Sequence, residues 1–434
     1  MRLLELTGPI TASRVNTLIP RATIEDNSTI ESSVWALCEE VRTLGEAALR
    51  DHAQKFDRVL PAGFKVSRDQ LRSALANTAP ELVEALKEAI ARVRRVSAAV
   101  VPSEVSVDLG EGANVTQRYV PVDSVGLYVP GGKAVYPSSV IMNVVPAQVA
   151  NVPRIVIASP AQAEFDGLPH PSILAAAELL GVTEVYSIGG ASAVAAFAYG
   201  VPEIGLDPVT MVTGPGNIYV ATAKRLLRGK IGIDSEAGPT EILIVADKTA
   251  NPAFVAADLI SQAEHDENAA AVLVTDSKDL IERVLVEVDR QLALAANRER
   301  AAIALAGEQS ALVLVENIQA AIAVANHYAT EHLEIQTESP EEVAKQITNA
   351  GALFIGDFSP VSLGDYLAGS NHVLPTSQQA KFGPGLGVHT FLRPQQVISY
   401  SKSALAEIST QLETLSHTEG LSAHGTAASI REDR

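Results

Sequence analysis

Glu184-Val-Tyr-Ser-Ile-Gly-Gly-Ala-Ser-Ala-Val-Ala-Ala-Phe-Ala-Tyr199 carries the fold in miniature. A short β-prone run, Glu184–Ile188, meets two glycines, and an alanine-rich helical stretch opens behind them. A strand feeding a helix through a tight glycine turn is half of a βαβ unit. The same alternation extends outward in both directions. Strands are expected at Val125–Val129, Arg154–Ala158, Val209–Val212, Glu241–Ala246, Ala270–Thr275, Ala311–Val315 and Ala352–Ile355. Ala/Leu-rich stretches such as Pro171–Leu180 and Pro252–His265 separate them. Strands that are apolar throughout, rather than at alternate positions, are buried on both faces, which implies parallel sheets covered by helices. Eight strands suit one barrel or two open sheets. The glycine turns and the chain length favour an α/β fold of two doubly wound, Rossmann-like parallel-sheet domains with a short helical C-terminal arm.

The flanks are helical. Ile30, Val34, Leu37, Val41, Leu44 and Ala48 recur at spacings of three and four, predicting an amphipathic helix within 29–55 that contains Cys38. A second helical region spans 67–99, with Pro80 expected to interrupt or kink it. After Asn371 the pattern decays into Gly383-Pro-Gly-Leu-Gly387, and two short helices follow, Ala404–Leu415 and Glu419–Arg431. That tail has little core of its own and should pack on another domain or subunit. The expected division is 1–121 plus 237–380 as a first α/β domain, 122–236 as a second on the cofactor side, and 381–434 as the arm.

Composition narrows the function. A chain of 434 residues exceeds one ordinary domain. With 33 basic and 51 acidic residues the net charge is −18, which disfavours nucleic acid or an anionic membrane as partner. The single cysteine excludes an intramolecular disulfide and any Cys-rich metal centre. No run reaches the ~18 apolar residues of a membrane span, and the N-terminus lacks a signal-peptide pattern. A cytoplasmic location is expected.

Seven of the nine histidines fall between His265 and His424. Gln262 and His265 are three apart at a probable helix end, so they share a face. Glu331 and His332 are adjacent at an element boundary, where an acid and an imidazole can divide proton transfer. Asp365 follows the strand ending at Gly356, and Glu419 and His424 sit at the start of the last helix. Each feature alone suits an ordinary surface loop or helix end. Together, Gln262, His265, Asp365 and His424 form a set of two imidazoles and two oxygen donors suited to Zn²⁺ or Mn²⁺. Gly189-Gly190 and Gly214-Pro-Gly-Asn217 each open a helix, where backbone N–H groups can hold an anion such as pyrophosphate. Neither turn has the G-x-G-x-x-G pattern.

The segments Gly126-Leu-Tyr-Val-Pro-Gly-Gly132, Thr213-Gly-Pro-Gly-Asn217, Ala237-Gly-Pro-Thr-Glu241, Ser261-Gln-Ala-Glu-His265, Thr330-Glu-His332, Gly364-Asp-Tyr366, Gly369-Ser-Asn-His-Val-Leu-Pro-Thr376 and Glu419-Gly-Leu-Ser-Ala-His424 resemble histidinol dehydrogenase, in that family's order and over essentially the whole chain. The resemblance implies oxidation of L-histidinol through the aldehyde to L-histidine with two NAD⁺ reduced, the last two steps of histidine biosynthesis. It implies one Zn²⁺ per subunit on Gln262, His265, Asp365 and His424, with Glu331 and His332 as the acid/base pair. Substrate contacts fall on Thr240, Gln262, His265, His332, Asp365, Glu419 and His424, and cofactor contacts on Tyr128, Ser192 and Asn217. It also implies a homodimer with shared active sites, the arm crossing to the partner. Two positions depart from the family pattern: Ser192 stands where glutamine is common, and Thr240 replaces a serine while keeping a hydroxyl. A related enzyme oxidising a sulfonated diol is the nearest alternative, but Glu419, His332 and His424 are all present to read an amine and an imidazole. Aldehyde oxidation commonly uses a cysteine nucleophile. Cys38 lies far in sequence from every site motif, which favours water as the nucleophile.

Overall fold

Residues 1–21, 28–131, 135–236 and 238–431 are described in the computed structural model; Gly132 and Ala237 of the motifs above lie outside them. The strands are β1 (Arg2–Leu6), β2 (Val105–Gly110), β3 (Ala113–Pro121), β4 (Ser124–Tyr128), β5 (Arg154–Ser159), β6 (Glu184–Ser187), β7 (Met211–Thr213), β8 (Gly232–Ile233), β9 (Glu241–Ala246), β10 (Ala270–Thr275), β11 (Ala311–Val315), β12 (His332–Gln336), β13 (Ala352–Ile355) and β14 (Leu392–Tyr400). The helices that matter for the site and its surroundings are α1 (Ser28–Leu44), α2 (Glu46–His52), α3 (Pro80–Ala99), α4 (Gly190–Tyr199), α5 (Ile218–Leu227), α6 (Pro252–Ala263), α7 (Ile318–Tyr328), α8 (Val361–Tyr366), α9 (Lys402–Thr418) and α10 (Ser422–Ser429).

Every strand expected from sequence is present, and all eight lie in two parallel sheets. One has the order β6-β5-β4-β7-β8, the other β1-β11-β10-β9-β12-β13. Numbered within its own sheet, each runs 3-2-1-4-5, with β1 added along the outer edge of the second. The strand order therefore reverses between β4 and β7 and again between β9 and β12, the crevice position in doubly wound folds. β9 and β10 are buried at every residue, as their unbroken apolar runs require. Side chains of Ile242, Ile244 and Leu273 pack on one face of this sheet and Leu243, Val245 and Val272 on the other.

The remaining elements depart from expectation for identifiable reasons. β12 carries Glu334 and Gln336 inside an apolar run, and those polar residues hid it. A third, antiparallel sheet, β14-β3-β2, was not anticipated. Its β2 is exposed along its whole length, so only the weak alternation Val105, Val107, Leu109 marks it. The helix expected within 29–55 breaks at Gly45, whose φ of 56° suits glycine, and resumes as α2. Pro80 opens α3 rather than kinking a longer helix, since the first turn needs no N–H from it. Helices α1 and α3 do not join the six-stranded unit with which residues 1–121 were grouped. Val34, Cys38 and Val41 pack with Val156, Val194 and Phe197, and Leu86 and Val93 pack with Val125 and Ile141. Their apolar stripes cover opposite faces of the five-stranded sheet. Helices α9 and α10 pack on each other and leave Ile408, Leu415, Leu421 and Ile430 exposed. Glu419 caps the C-terminal end of α9 instead of starting the last helix. Among the described residues no helix is long and apolar enough to cross a membrane.

Candidate active site

A cleft of about 1320 Å³ lies where the C-terminal ends of β4, β6 and β7 face the N-terminal ends of β9 and β12. Tyr128, Ser192 and Asn217 line one wall; Thr240, His265, Glu331, His332 and Asp365 line the other. Asp365 therefore does not sit at the C-terminal edge of its sheet, as its place after β13 suggested. The chain leaves β13, and the Val361 amide at the start of α8 donates to Glu334 of β12 at 2.9 Å. Helix α8 then runs back toward the opposite edge. Helix α6 makes the same return after β9: Asn251 caps its start and Pro252 occupies its first turn. Its last turn delivers Gln262 and His265.

A hydrogen-bonded series fixes the six-stranded wall. Gln262 Nε2 donates to Thr240 Oγ1 at 2.5 Å, and Thr240 Oγ1 donates to Glu331 Oε2 at 2.5 Å. The Glu241 amide donates to the same carboxylate oxygen at 3.0 Å. Because its NH₂ group is committed to Thr240, Gln262 presents Oε1 elsewhere, and that atom is buried without a partner. His265 Nδ1 lies 2.9 Å from the Ser261 carbonyl, an acceptor, so Nδ1 carries the proton and Nε2 is left with its lone pair. His332 is held the same way, Nδ1 on the Glu241 carbonyl at 3.2 Å, and its Nε2 is buried without a partner. Burial pushes His332 below the ordinary imidazole range, so it is a neutral base. Burial pushes Glu331 up to about 8, against the opposing pull of the Thr240 and Glu241 hydrogen bonds. Arg21 closes this edge from outside, Nε 2.7 Å from Glu241 Oε1, with its guanidinium 3.8 Å above the Tyr328 ring.

The facing wall is built on turns. Gly214 has φ 114°, and a Cβ there would meet the Tyr128 carbonyl oxygen at 2.1 Å, so only glycine lets β7 end beside β4. The turn is clamped by a buried Lys224–Asp234 ion pair: Lys224 Nζ donates to the Gly214 carbonyl at 3.1 Å and the Gly214 amide to Asp234 at 2.9 Å. Asn217 Oδ1 accepts from the Tyr219 and Val220 amides and caps α5. Tyr128 Oη accepts from the Gly190 amide at 3.2 Å. Ser192 Oγ is 2.8 Å from His52 Nδ1, and His52 Nε2 is 2.8 Å from Glu40.

The fold thus brings eight of the eleven anticipated residues to the lining of one cleft, with Gln262 hydrogen-bonded to the lining residue Thr240. Glu419 and His424 are exposed on the arm and do not line the cleft of their own chain. Among the described residues no three His, Cys, Asp or Glu side chains converge on one metal position. His265 and Asp365 line the cleft, and the Gln262 amide is bound to Thr240 beside them. An unpartnered buried carbonyl oxygen and an imidazole whose other nitrogen is locked on a backbone carbonyl are donors of the kind a zinc ion takes. Sequence spacing gave no signal for His52, Glu40 or Asp57, which also line the cleft. His372 lay inside a quoted motif without a role; its Nδ1 donates to the Asp365 carbonyl at 3.0 Å.

The sequence profile of the histidinol dehydrogenase family matches residues 20–432. The chain belongs to the histidinol dehydrogenase family. It is 53% identical over 432 residues to the histidinol dehydrogenase of Leifsonia xyli subsp. xyli, covering 99% of each chain. It is 56% identical over 416 residues to that of Thermobifida fusca, covering 96% of this chain and 94% of the relative. The crystal structure of histidinol dehydrogenase from Elizabethkingia anophelis superposes with a TM-score of 0.93 at 32% identity, covering 99% of this chain and 98% of that one. Membership makes the protein an oxidoreductase.

Proposed function

We propose that the protein oxidises L-histidinol to L-histidine by way of the aldehyde, reducing two NAD⁺ and using one Zn²⁺ per subunit, in the cytoplasm. The observation that carries the chemistry is His332: a buried neutral imidazole with a free Nε2 in a cleft it shares with Glu331 and with Thr240, to which Gln262 is bound with its Oε1 free. Gln262, His265 and Asp365, with His424 of the partner subunit, would hold the zinc. Bound there, zinc would supply Lewis-acid polarisation and a template for the substrate. His332 Nε2 accepts the alcohol proton as hydride leaves the carbinol carbon for NAD⁺. Glu331, once ionised, takes a proton from the water that adds to the aldehyde. His332 then accepts a proton from the hydrate as the second hydride departs. General base help of this kind is worth ~10²–10⁴ in rate. Tyr128, Ser192 and Asn217 form the cofactor wall, and Asp365 and Glu419 suit a cationic amine. The exposed arm, with α9 and α10 packed on each other, supports a homodimer in which the arm completes the neighbouring site.

The test is NADH formation on L-histidinol by zinc-loaded protein, with two NADH per histidinol consumed. Absence of turnover in verified zinc-loaded dimer would sink the proposal. His332→Asn should lose oxidation of both alcohol and aldehyde.

A further inference from the structure

Between the elements that deliver the site residues lies a carboxyl pair with no part in the steps above. Asp258 is on α6, four residues before Gln262 and hence on the same helix face, and His265 follows just past the helix end. Glu334 is on β12, two residues after His332. Their relative exposures are 8% and 1%. Gln336 Nε2 bridges them, donating to Asp258 Oδ2 at 3.2 Å and to Glu334 Oε2 at 3.1 Å. Glu334 Oε1 accepts from the Val361 amide, which opens α8 four residues before Asp365. One amide nitrogen thus reaches both carboxyls, which places the two side by side. Among the described residues neither forms an ion pair with Lys or Arg. Burial accordingly pushes both above the usual carboxylate range; Asp258 further disfavours ionisation of Glu334, whereas Glu334 and Gln336 favour that of Asp258.

This placement has no justification as core filling. Buried polar groups of this kind are commonly matched or bettered by apolar residues of similar volume. What an apolar residue cannot do is tie three separate elements to one point. α6 carries Gln262 and leads into His265, β12 begins at His332, and α8 carries Asp365. We propose that the Asp258–Glu334 pair, bridged by Gln336, is a positioning device that sets α6, β12 and α8 in one geometry so that the zinc donors and the acid/base pair converge. The role rests on the zinc-dependent reading above for what the site holds; the tie itself does not.

Glu334→Gln keeps an acceptor for Val361, and Gln336 can turn so that its otherwise unpartnered Oε1 accepts from the new NH₂ group, so zinc binding and KM should stay close to wild type. Glu334→Leu removes the acceptor and strands Asp258 and Gln336. Loss of such supporting contacts typically weakens metal binding ~10–100-fold, to be read by competition with a chelator. In the metal-free chain, amide exchange at Val361 and in the last turn of α6 should rise together in Glu334→Leu, with β9 and β10 unchanged. Infrared difference spectra of wild type against Glu334→Gln should contain a carboxylic-acid carbonyl band at neutral pH. Folded Glu334→Leu with wild-type zinc affinity and wild-type exchange overturns the proposal, as does absence of that band. If Glu334→Leu does not fold, Gln336→Met, which removes only the bridge, is judged by the same chelator and exchange measurements. If wild type itself neither holds zinc nor turns over histidinol, the zinc reading fails, while the exchange and infrared results still decide the tie.

Discussion

Thr240→Val isolates what a single hydroxyl contributes to the proposed base, Glu331. The substitution preserves shape and deletes the O–H that donates to Glu331 Oε2. That bond favours the ionised carboxylate, opposing the burial that pushes Glu331 up to about 8. A hydrogen bond to a charged acceptor is worth ~1.5–3 kcal/mol, and one pKa unit is about 1.4 kcal/mol, so its loss should raise Glu331 by ~1–2 units. Only roughly a tenth of a group titrating near 8 is ionised at pH 7 in wild type. The variant should therefore oxidise the aldehyde ~10–100-fold more slowly at neutral pH, and recover as pH rises. The assay is the pH profile of NAD⁺-dependent aldehyde oxidation for wild type, Thr240→Val and Thr240→Ser. Metal content is measured for each, because Gln262 loses its acceptor too. Thr240→Ser should follow wild type. Superimposable profiles, or a loss equal at every pH, would refute the reasoning.

Three further outcomes are expected. Cys38→Ser should leave aldehyde oxidation intact, because burial in the α1 core pushes the thiol up to about 12 and keeps it from acting as a nucleophile; a selective loss of the second oxidation contradicts this. Arg21→Met strands buried Glu241 and should cost ~3–5 kcal/mol of unfolding free energy in urea, against ~1 or less for an exposed pair such as Arg92–Glu88. In the metal-free chain, Glu331 stays protonated when folded but ionises above ~4.5 when unfolded, so its contribution is full at low pH and lost as pH rises through about 8. His332, depressed by burial, pulls oppositely, but only below ~6.5. Stability should therefore fall between pH 6.5 and 8, by ~2 kcal/mol from Glu331 alone; a rise, or an unchanged slope in Glu331→Gln, would count against it.

The parallel sheets were legible because apolar strands between glycine turns leave few alternatives. Gln262 and His265 were legible as sharing a face, but nothing in the spacing revealed that α6 ends beside Thr240. Asp365 was found for the wrong reason: its position after β13 suggested the carboxyl edge, and the return of α8 carried it to the other. Nothing local marked Asp258, Glu334 or Glu241 as buried acids, since burial of a charge depends on partners distant in sequence. Arg21 and Glu241 are 220 residues apart, and His52 and Ser192 are 140 apart. No local periodicity reports such pairs. The arm residues Glu419 and His424 were recognised only by motif, because within one chain they touch no part of the cleft.

The use of opposite edges by two sheets of the same strand order has an electrostatic consequence. At the five-stranded wall the chain turns from strand into helix, so α4 and α5 present their N-termini, the positive ends of their backbone dipoles. At the six-stranded wall the helices arrive from the far side, so α6 and α7 end there and present negative C-termini beside Gln262 and Thr330. The backbone alone makes the cleft a polarised gap, one bank suited to phosphate and the other to a metal ion and an ammonium group. On the proposed function, a dinucleotide and a cationic alcohol entering it would be sorted to opposite banks before any side chain reads them.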